Sequence, residues 1–390
     1  MFRLTRFHDV LKPLPRAVFE EFVVKHQSDK STKGFTSWVH LVTMVYGQLS
    51  GASSLRTLTA GFNRQHPHYH LGIRKALCRS TISDANAHRP PDVFADALKL
   101  LMTQAKRRVR RQMKDMLCLL DSTSITLKGN GFDVWTREQR TRNTQGVKLH
   151  LLLEGQTASP LAYSVTPANV NDVTEGGRMV IEKGAIHVFD KGYRDYGWWH
   201  KIHQAGAVFV TRFKKNAKVS RVEDCPLEEE DHGVILKDER VVFANRSPGG
   251  GRKNPYRAPL RRVTVARPDK ESPLVLATND LASPARVIAE RYKARWQIEL
   301  FFKWIKQHLN IKCFFGRSQN AVKIQILTAL LAYVLLLIHH AASNFKGSLW
   351  MLLAEVRPAL FSRPQTAAAM RRRREEEQRE FARLQPALFA

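Results

Sequence analysis

The ten residues from Met116 to Ile125, MLCLLDSTSI, decide the fold of this chain. Five apolar residues in a row, Met116 to Leu120, lead directly to the carboxylate of Asp121. A short, continuous apolar run predicts a β-strand that is buried on both faces, as in parallel sheets covered by helices. Asp121 is then expected at the carboxyl end of that strand, where open α/β sheets collect their ligands.

Strand and helix patterns alternate after this run. The predicted strands are Val147 to Leu153, Leu161 to Val165, Ala185 to Phe189 and Ala207 to Phe213, and the predicted helices are Asp172 to Gly184 and Tyr193 to Gln204. Together with the first strand they predict an α/β fold built on a mixed sheet with flanking helices. This order of elements is typical of a ribonuclease-H-like core.

Residues 214–278 have a different character. Their strand patterns, separated by polar turns, are Val234 to Ala244, Arg261 to Ala266 and Pro273 to Ala277. We interpret this stretch as a β-rich insertion. Long helices return from Ala282 to about Ser343, so the core is expected in two parts, residues 113–213 and 279–345.

The two ends of the chain differ from the core. Residues 1–112 are helical in pattern, with a short helix that Ser54 opens and a polar segment from Ser80 to Ala87. These short helices fit a helix-turn-helix DNA reader or a helical bundle with an exposed polar turn. We expect a helical N-terminal DNA-binding domain over 1–112. Its basic stripe at residues 106–111 is expected to face phosphates or else to be a solvated helix end. Residues 346–390 are expected to form a charged C-terminal tail.

The charge balance points to a polyanionic partner. Lys and Arg number 63 against 35 Asp and Glu, a net charge of +28. Nucleic acid is the usual partner of such a surplus, although ribosome-associated and membrane-surface proteins can share it. The four cysteines form no CxxC pair, which argues against a structural zinc site and a disulfide framework. The longest apolar run, Ile326 to Ile338, is too short to span a bilayer, so we expect a soluble intracellular protein.

A second acid has the same sequence context as the first. Asp190 directly follows the predicted strand Ala185 to Phe189, so it and Asp121 are both expected at strand ends of one sheet. A carboxylate is costly to bury there unless a cation pairs with it. Each acid alone could equally be hydrogen-bonded at a strand end, but two of them in one sheet favour a metal site.

A third acid, Glu299, lies on a predicted helix. At about 100° per residue, Tyr292, Arg295, Glu299 and Lys306 share one narrow face of that helix. The other face is apolar and is expected to meet the core; its members are Ile298, Leu300, Phe301, Trp304, Ile305 and Leu309. By spacing alone, the charged face could also be an ordinary solvated one. Three carboxylates would nevertheless suit phosphodiester cleavage with two Mg²⁺ ions, which prefer hard oxygen ligands.

The spacing Tyr292-x2-Arg295-x3-Glu299-x6-Lys306 resembles the YREK signature of the insertion sequence four family of DDE transposases. The contexts of Asp121, in LLDSTSI, and of Asp190, in FDKGYRDY, are similar to those of that family. The stretch GFTSWVHLVTMVYGQLSGASSLR near the N-terminus also resembles the leading domain of one bacterial branch. The resemblance extends to about Ser343.

The resemblance implies cut-and-paste DNA transposition of an insertion sequence, with a hairpin intermediate followed by strand transfer. It implies that Asp121, Asp190 and Glu299, here called the acid triad, bind two catalytic Mg²⁺ or Mn²⁺ ions. Tyr292, Arg295 and Lys306 would contact phosphates and the DNA end, and Arg212, in VTRFKKN, would lie beside that end.

The implied partners are double-stranded DNA, as terminal inverted repeats and as target, and a second copy of the chain. The implied location is the bacterial cytoplasm, at the nucleoid. No membrane is expected.

The chain departs from the pattern of that family in one respect. Relatives stack a Trp of the insertion near the flipped base of the hairpin, but residues 214–278 contain no Trp, and Phe243 and Tyr256 are their only Phe or Tyr. The stacking role therefore stays unassigned. The competing hypotheses are a ribonuclease-H-like DNA nuclease without strand transfer and a transposase-derived DNA-binding regulator. A metal site at His66-x-His68-x-His70 is a further candidate.

Overall fold

The structure is a computed structural model that describes residues 5–64, 68–109, 116–213, 217–244, 254–268, 270–343, 345–363 and 379, with the backbone alone at 107–109. The helices before the sheet are α1 (Arg6–Leu11), α2 (Arg16–Lys25), α3 (Ser37–Ser50), α4 (Leu55–Asn63), α5 (Arg79–His88) and α6 (Asp92–Val109). Gly51 ends α3 with a left-handed φ of 72°. Ser54 then starts α4, as the sequence predicted, and it does so through a capping box with Thr57.

The basic stripe at residues 106–111 lies mostly outside the side chains that the structure describes. Its first member, Lys106, pairs with Glu182 rather than facing solvent. The part of the stripe that can be located is therefore a structural contact.

The central elements alternate between strands and short helices. They are β1 (Leu117–Thr126), α7 (Asp133–Thr136), β2 (Gly146–Glu154), β3 (Pro160–Pro167), α8 (Asp172–Gly176), β4 (Ile186–Phe189), α9 (Tyr196–Gln204), β5 (Val208–Arg212), β6 (Val219–Asp224), β7 (Ile235–Phe243), β8 (Leu260–Val265) and β9 (Leu274–Thr278). The helices that follow are α10 (Ala285–Ala294), α11 (Trp296–His308), α12 (Gln319–Ala342) and α13 (Leu349–Val356).

One nine-stranded sheet, in the order β3-β2-β1-β4-β5-β9-β8-β7-β6, runs through the molecule. Strand β1 is antiparallel to β2 and parallel to β4, and β4 is parallel to β5. This half is the ribonuclease-H-like core, and the predicted mixed α/β class is confirmed. Strand β9 pairs antiparallel with β5, so the strands of residues 219–278 extend the core sheet instead of forming a separate one.

Two predicted helices were wrong in extent, and one strand was missed. The helix predicted over Asp172 to Gly184 ends at Gly176, because a second glycine follows and β-branched residues come soon after. Helix α9 starts at Tyr196 rather than Tyr193, since the Asp195 side chain accepts from the Trp198 N–H and caps it. Strand β6 was missed because its six residues, VSRVED, are largely exposed and show no apolar face.

The apolar run Ile326 to Ile338 belongs to the longer helix α12. With 24 residues and a mean hydropathy of 2.3, α12 is long and apolar enough to cross a membrane, so the length argument was wrong. Its apolar window is nevertheless 89% buried within the protein. Helix α12 contacts α3, α5 and α6, and the buried apolar core is continuous from these helices to the sheet.

Candidate active site

The register of the parallel strands brings the two aspartates together. Strands β1 and β4 pair from Leu117↔Ile186 to Leu120↔Phe189, and Asp121 and Asp190 are the next residue on each strand. Asp190 directly follows β4, as predicted. Asp121 does not end its strand, because β1 continues to Thr126 and pairs Asp121 with Leu151 of β2. The Asp121 carboxylate is close to the other acids because the neighbouring strand β4 ends at Phe189, opposite Leu120, while β1 continues.

Glu299 comes to the same place from the helical side. The sequence predicted one helix from Tyr292 to Lys306, but the helix is interrupted at Arg295, between α10 and α11. The Arg295 N–H donates to the Tyr292 carbonyl (3.1 Å), and the Ile298 N–H donates to the Arg295 carbonyl (3.2 Å). These bonds join residues three apart rather than four apart, so the backbone at Arg295 forms a tighter, 3₁₀-type turn.

Arg295 lies between two of the acids. Its guanidinium donates to Asp121 Oδ2 at 3.0 Å and to Glu299 Oε1, and it lies 5.9 Å from the centre of the Tyr292 ring. With a side-chain exposure of only 17%, it is a partly desolvated cation that holds two carboxylates together.

Asp190 has its own polar neighbours. The Tyr292 hydroxyl donates to Asp190 Oδ1 over 3.4 Å, and Arg212 Nη1 lies 3.8 Å from the same oxygen. On the far side, the Lys306 ammonium donates to the Thr123 hydroxyl of β1. All seven residues that the resemblance assigns to the catalytic site therefore lie around one place.

Burial changes the acidity of this site. Burial raises the pKa of Asp121 to about 6. The negative charges of Glu299 and Asp190 raise this pKa further, whereas the hydrogen bond from the Ser122 N–H and the charge of Arg295 lower it. Burial also raises the pKa of Tyr292 to about 12, so its hydroxyl stays protonated and can donate. The pKa of Lys306 is lowered by burial and by the charge of Lys312. The site disfavours its own negative charge and would gain from a bound cation.

The donor set fits a hard divalent cation. Carboxylate oxygens are the ligands that Mg²⁺ and Mn²⁺ prefer. Among the residues that the structure describes, however, no three acidic, histidine or cysteine side chains are close enough to hold one ion. Arg295 instead occupies the space between Asp121 and Glu299. The acids are gathered, and Arg295 occupies one carboxylate oxygen of each, Asp121 Oδ2 and Glu299 Oε1.

A cavity of about 400 Å³ opens beside the acids. Asp121, Thr123 and Glu299 line it together with three lysines, Lys303, Lys306 and Lys312. Sequence reasoning missed Lys303 and Lys312. One signal was available, because residues 300–354 contain no Asp or Glu. An acid-free wall beside a carboxylate cluster is suited to a polyanion.

Two apolar side chains on α11 are exposed near Glu299. Trp296 is 58% exposed and Leu300 is 42% exposed. The assignment of Leu300 to the core face was wrong, because that face is narrower than predicted. The insertion's own aromatics are engaged elsewhere: Tyr256 is fully buried, and the Phe243 ring packs 4.6 Å from that of Tyr196. Trp296 was missed because an aromatic residue on an amphipathic helix is usually buried, and the sequence does not show that this side chain is exposed.

Of the histidine cluster, His68 and His70 are described, and neither belongs to a described group of three possible metal ligands. His66 lies outside the described residues. His68 Nε2 is 2.8 Å from the Phe62 carbonyl, and His70 Nε2 is 3.0 Å from the Thr5 hydroxyl. Both rings are therefore engaged in hydrogen bonds within the N-terminal helices.

Comparisons with known proteins identify the family of this chain. The family described as "Transposase DDE domain" matches residues 112–335, and a domain of unknown function (DUF4372) matches residues 3–74. The candidate transposase y4zB of Sinorhizobium fredii is 41% identical over 292 residues, 74% of this chain and 79% of that protein. The candidate transposase of insertion sequence element IS4SA from Synechocystis is 49% identical over 268 residues, 66% of this chain and 70% of that protein.

A solved piggyBac transposase synaptic complex with hairpin DNA is more distant. It covers 94% of this chain and 79% of that chain at 10% identity, with a TM-score of 0.43. The family match spans more than half of the chain and contains all three acids. This chain is therefore a member of the DDE transposases, DNA-cleaving enzymes that depend on divalent metal and are encoded by insertion sequences.

Proposed function

We propose that this transposase moves its own insertion sequence by cut-and-paste transposition, with its terminal inverted repeats and a target duplex as substrates. The observation that supports this most is the convergence of the acid triad with Arg295, Arg212 and a lysine-lined cavity. Cleavage and joining both exchange one phosphodiester oxygen for another. One such site can therefore serve each step.

The acid triad would hold two Mg²⁺ or Mn²⁺ ions. Bound ions supply activation of the attacking hydroxyl and stabilisation of the leaving oxygen. Before DNA arrives, Arg295 neutralises Asp121 and Glu299. We expect its guanidinium to turn toward a DNA phosphate, which leaves the acid oxygens available. Tyr292, Arg212 and Lys306 would then contact the DNA end. Lys312, which lines the same cavity as Lys306, would extend this phosphate-binding surface.

Trp296 would take the stacking role at a hairpin intermediate. It is an exposed aromatic side chain three residues before Glu299, and the aromatic residues of the insertion are engaged in packing. Stacking on one base contributes about 1–3 kcal/mol. Trp296→Ala should therefore reduce hairpin formation about tenfold or more, and Trp296→Phe should restore much of it. Equal hairpin yields from all three proteins, measured on labelled end DNA, would remove Trp296 from this role.

We further propose the domain organisation given by the sequence, with DNA binding by residues 1–112, a core of 113–213 and 279–345, the insertion 214–278 and the tail 346–390. Helix α5 would be the DNA-recognition helix of this domain, because Arg79, Ser80 and Ser83 are exposed along it and could contact base edges. Beside its first turn, Lys33 and Lys75 line a cavity of about 360 Å³.

Helix α5 is also close to the first turn of α12. The Asn320 amide donates to the carbonyls of Asn86 (3.0 Å) and Arg89 (2.9 Å) at the end of α5. Lys75→Gln should weaken all duplexes alike and reduce the slope of log affinity against log salt by about 1. Arg79→Ala should instead reduce the preference for the element's own ends. An unchanged salt slope in Lys75→Gln would exclude this surface as a phosphate contact.

The active species would be a homodimer that bridges two transposon ends in the bacterial cytoplasm, at the nucleoid. Two ends must be cut and joined together, and the charged tail offers an interface. Sedimentation of the end-bound protein should give two chains per pair of ends. A monomer that joins two ends in a coupled way would contradict the dimer.

The decisive experiment incubates the protein with its element ends, a target plasmid and Mg²⁺. Hairpins and joined products are expected. Cut ends without joints would instead indicate a nuclease. Specific binding without any cleavage would indicate a DNA-binding regulator.

A further inference from the structure

A polar cluster lies behind Asp121, on the side of β1 away from Arg295. Successive side chains of a strand point to opposite faces of the sheet. Asp121 contacts Arg295, and the next side chain, Ser122, turns to the other face. There Ser122 lies opposite His150 of β2, and Lys148 lies opposite Ser124. Asp172, the first residue of α8, closes the cluster.

The contacts of this cluster converge on one carboxylate oxygen. Asp172 Oδ1 accepts from the Ser122 hydroxyl (2.9 Å) and from the Lys148 ammonium (2.9 Å). Lys148 also donates to the Val170 carbonyl (2.9 Å), just before α8. His150, fully buried, has its Nδ1 3.7 Å from the same Asp172 oxygen.

Burial makes this arrangement more than a surface ion pair. The side chains of Lys148 and Asp172 are only 13% and 30% exposed. A lysine that is this far desolvated needs its carboxylate partner, because an unpaired buried charge is strongly unfavourable. The pair therefore ties the start of α8 to β2 and, through Ser122, to β1.

Ser122 connects the cluster to the acid triad. Its backbone N–H donates to Asp121 Oδ1 at 2.8 Å, while Arg295 holds the other oxygen, Oδ2. Once Arg295 turns toward DNA, the Ser122 N–H is the remaining described hydrogen bond to the Asp121 carboxylate. The direction of that carboxylate then depends on how firmly β1 is held at Ser122.

We infer that Asp172 and Lys148 are positioning residues that anchor Ser122 and thereby orient Asp121 as a metal ligand. This inference rests on the proposed metal-binding role of the acid triad. Groups behind a metal ligand orient it, and their removal typically weakens metal affinity about 10- to 100-fold. Asp172 and Lys148 contact neither DNA nor metal in this role.

The test compares four variants by Mn²⁺ titration of the protein bound to its end DNA, read by the electron paramagnetic resonance signal of free Mn²⁺. Ser122→Ala removes the anchoring hydroxyl and keeps the backbone N–H. Asp172→Asn keeps an acceptor for Ser122 but loses the charge that faces Lys148. Lys148→Met removes the cation. Ser124→Ala is the matched control, since it lies on the same face of β1 with an exposed hydroxyl that has no described hydrogen bond.

Ser122→Ala and Lys148→Met should need about tenfold more Mn²⁺ than the wild type for half-saturation. Asp172→Asn should also need more Mn²⁺ than the wild type, but the increase should be smaller than about tenfold. Ser124→Ala should match the wild type. DNA affinity should stay unchanged, and saturating Mn²⁺ should restore most of the cleavage rate, which a misfolded variant would not regain. If Lys148→Met does not fold, Ser122→Ala and Asp172→Asn decide the question.

Wild-type Mn²⁺ affinity in folded Ser122→Ala and Asp172→Asn would overturn the inference. That outcome differs from failure of the proposed function, in which the wild-type protein itself would show no metal-dependent cleavage.

Discussion

Replacing Glu299 by glutamine tests the centre of the site with little structural disturbance. Glutamine keeps the size and helix propensity of glutamate but removes one negative charge and one strong metal-binding oxygen. The carbonyl oxygen that remains can still accept from Arg295. The change therefore separates loss of metal chemistry from loss of folding.

The structure sets both magnitudes. The Glu299 side chain is 33% exposed, and its ion pair with Arg295 is partly screened by solvent, so its loss should lower the free energy of unfolding by no more than about 1 kcal/mol. The melting temperature should then fall by at most about 4 °C. The rate of strand cleavage should fall at least about 100-fold, because metal positioning contributes several kcal/mol to the transition state.

The assay follows nicking of a labelled transposon end under single-turnover conditions, beside a binding titration of the same DNA. DNA affinity should be preserved, since removing an acid near phosphates reduces repulsion. Glu290→Gln is the matched control, because it removes an acid from α10 whose side chain is 65% exposed and pairs only with Arg286 among the described residues. Asp121→Asn should add little to Glu299→Gln if the acids act as a unit. Cleavage by Glu299→Gln at near the wild-type rate would refute the assignment of the acid triad.

Two further predictions concern stability. Gly146→Ala should lower the free energy of unfolding by at least about 2 kcal/mol, since Gly146 has φ +144° and a Cβ there would lie 2.2 Å from the Ile125 carbonyl oxygen. Gly177→Ala is the control, because a Cβ at that position would have no neighbouring atom closer than 3.6 Å. Equal denaturant midpoints for the two variants would contradict this reasoning. The pKa of His40 is lowered to about 3 by burial and by the charge of Arg89. Its stabilising contribution is thus full above pH 6.5, the unfolded pKa, and decreases by about 1.4 kcal/mol per pH unit below it, or about 2 kcal/mol at pH 5. His40→Gln should flatten the loss of stability between pH 7.5 and 5, and an unchanged slope in urea melts would argue against this contribution.

Several parts of the fold and of the site followed from local sequence. An unbroken apolar run predicted the buried strand β1, and Ser54 after Gly51 predicted the start of α4. The spacing of Tyr292, Arg295, Glu299 and Lys306 predicted that their four side chains would share one side, although the helix that this spacing assumed is interrupted at Arg295. These signals are local because side-chain periodicity and capping depend only on neighbours along the chain.

Tertiary structure decided the contacts between distant segments. Asp121 was expected at a strand end, but it lies inside β1, and only the end of the neighbouring strand β4 exposes it to the site. The pairing of β9 with β5 joined the insertion to the core sheet. No local pattern specifies the residue that a strand pairs with far along the chain, because many registers satisfy the same alternation.

The chemistry of the site divides in the same way. The sequence by itself determined which residues carry charge and hard oxygen ligands, since residue type alone decides that. Only the tertiary structure showed that Arg295 bridges Asp121 and Glu299, that Lys312 enters the cavity and that Asp172 holds Ser122. Arg295 and Asp121 are 174 residues apart in the chain, and a contact over that separation exists only once the whole sheet and the helices against it have formed.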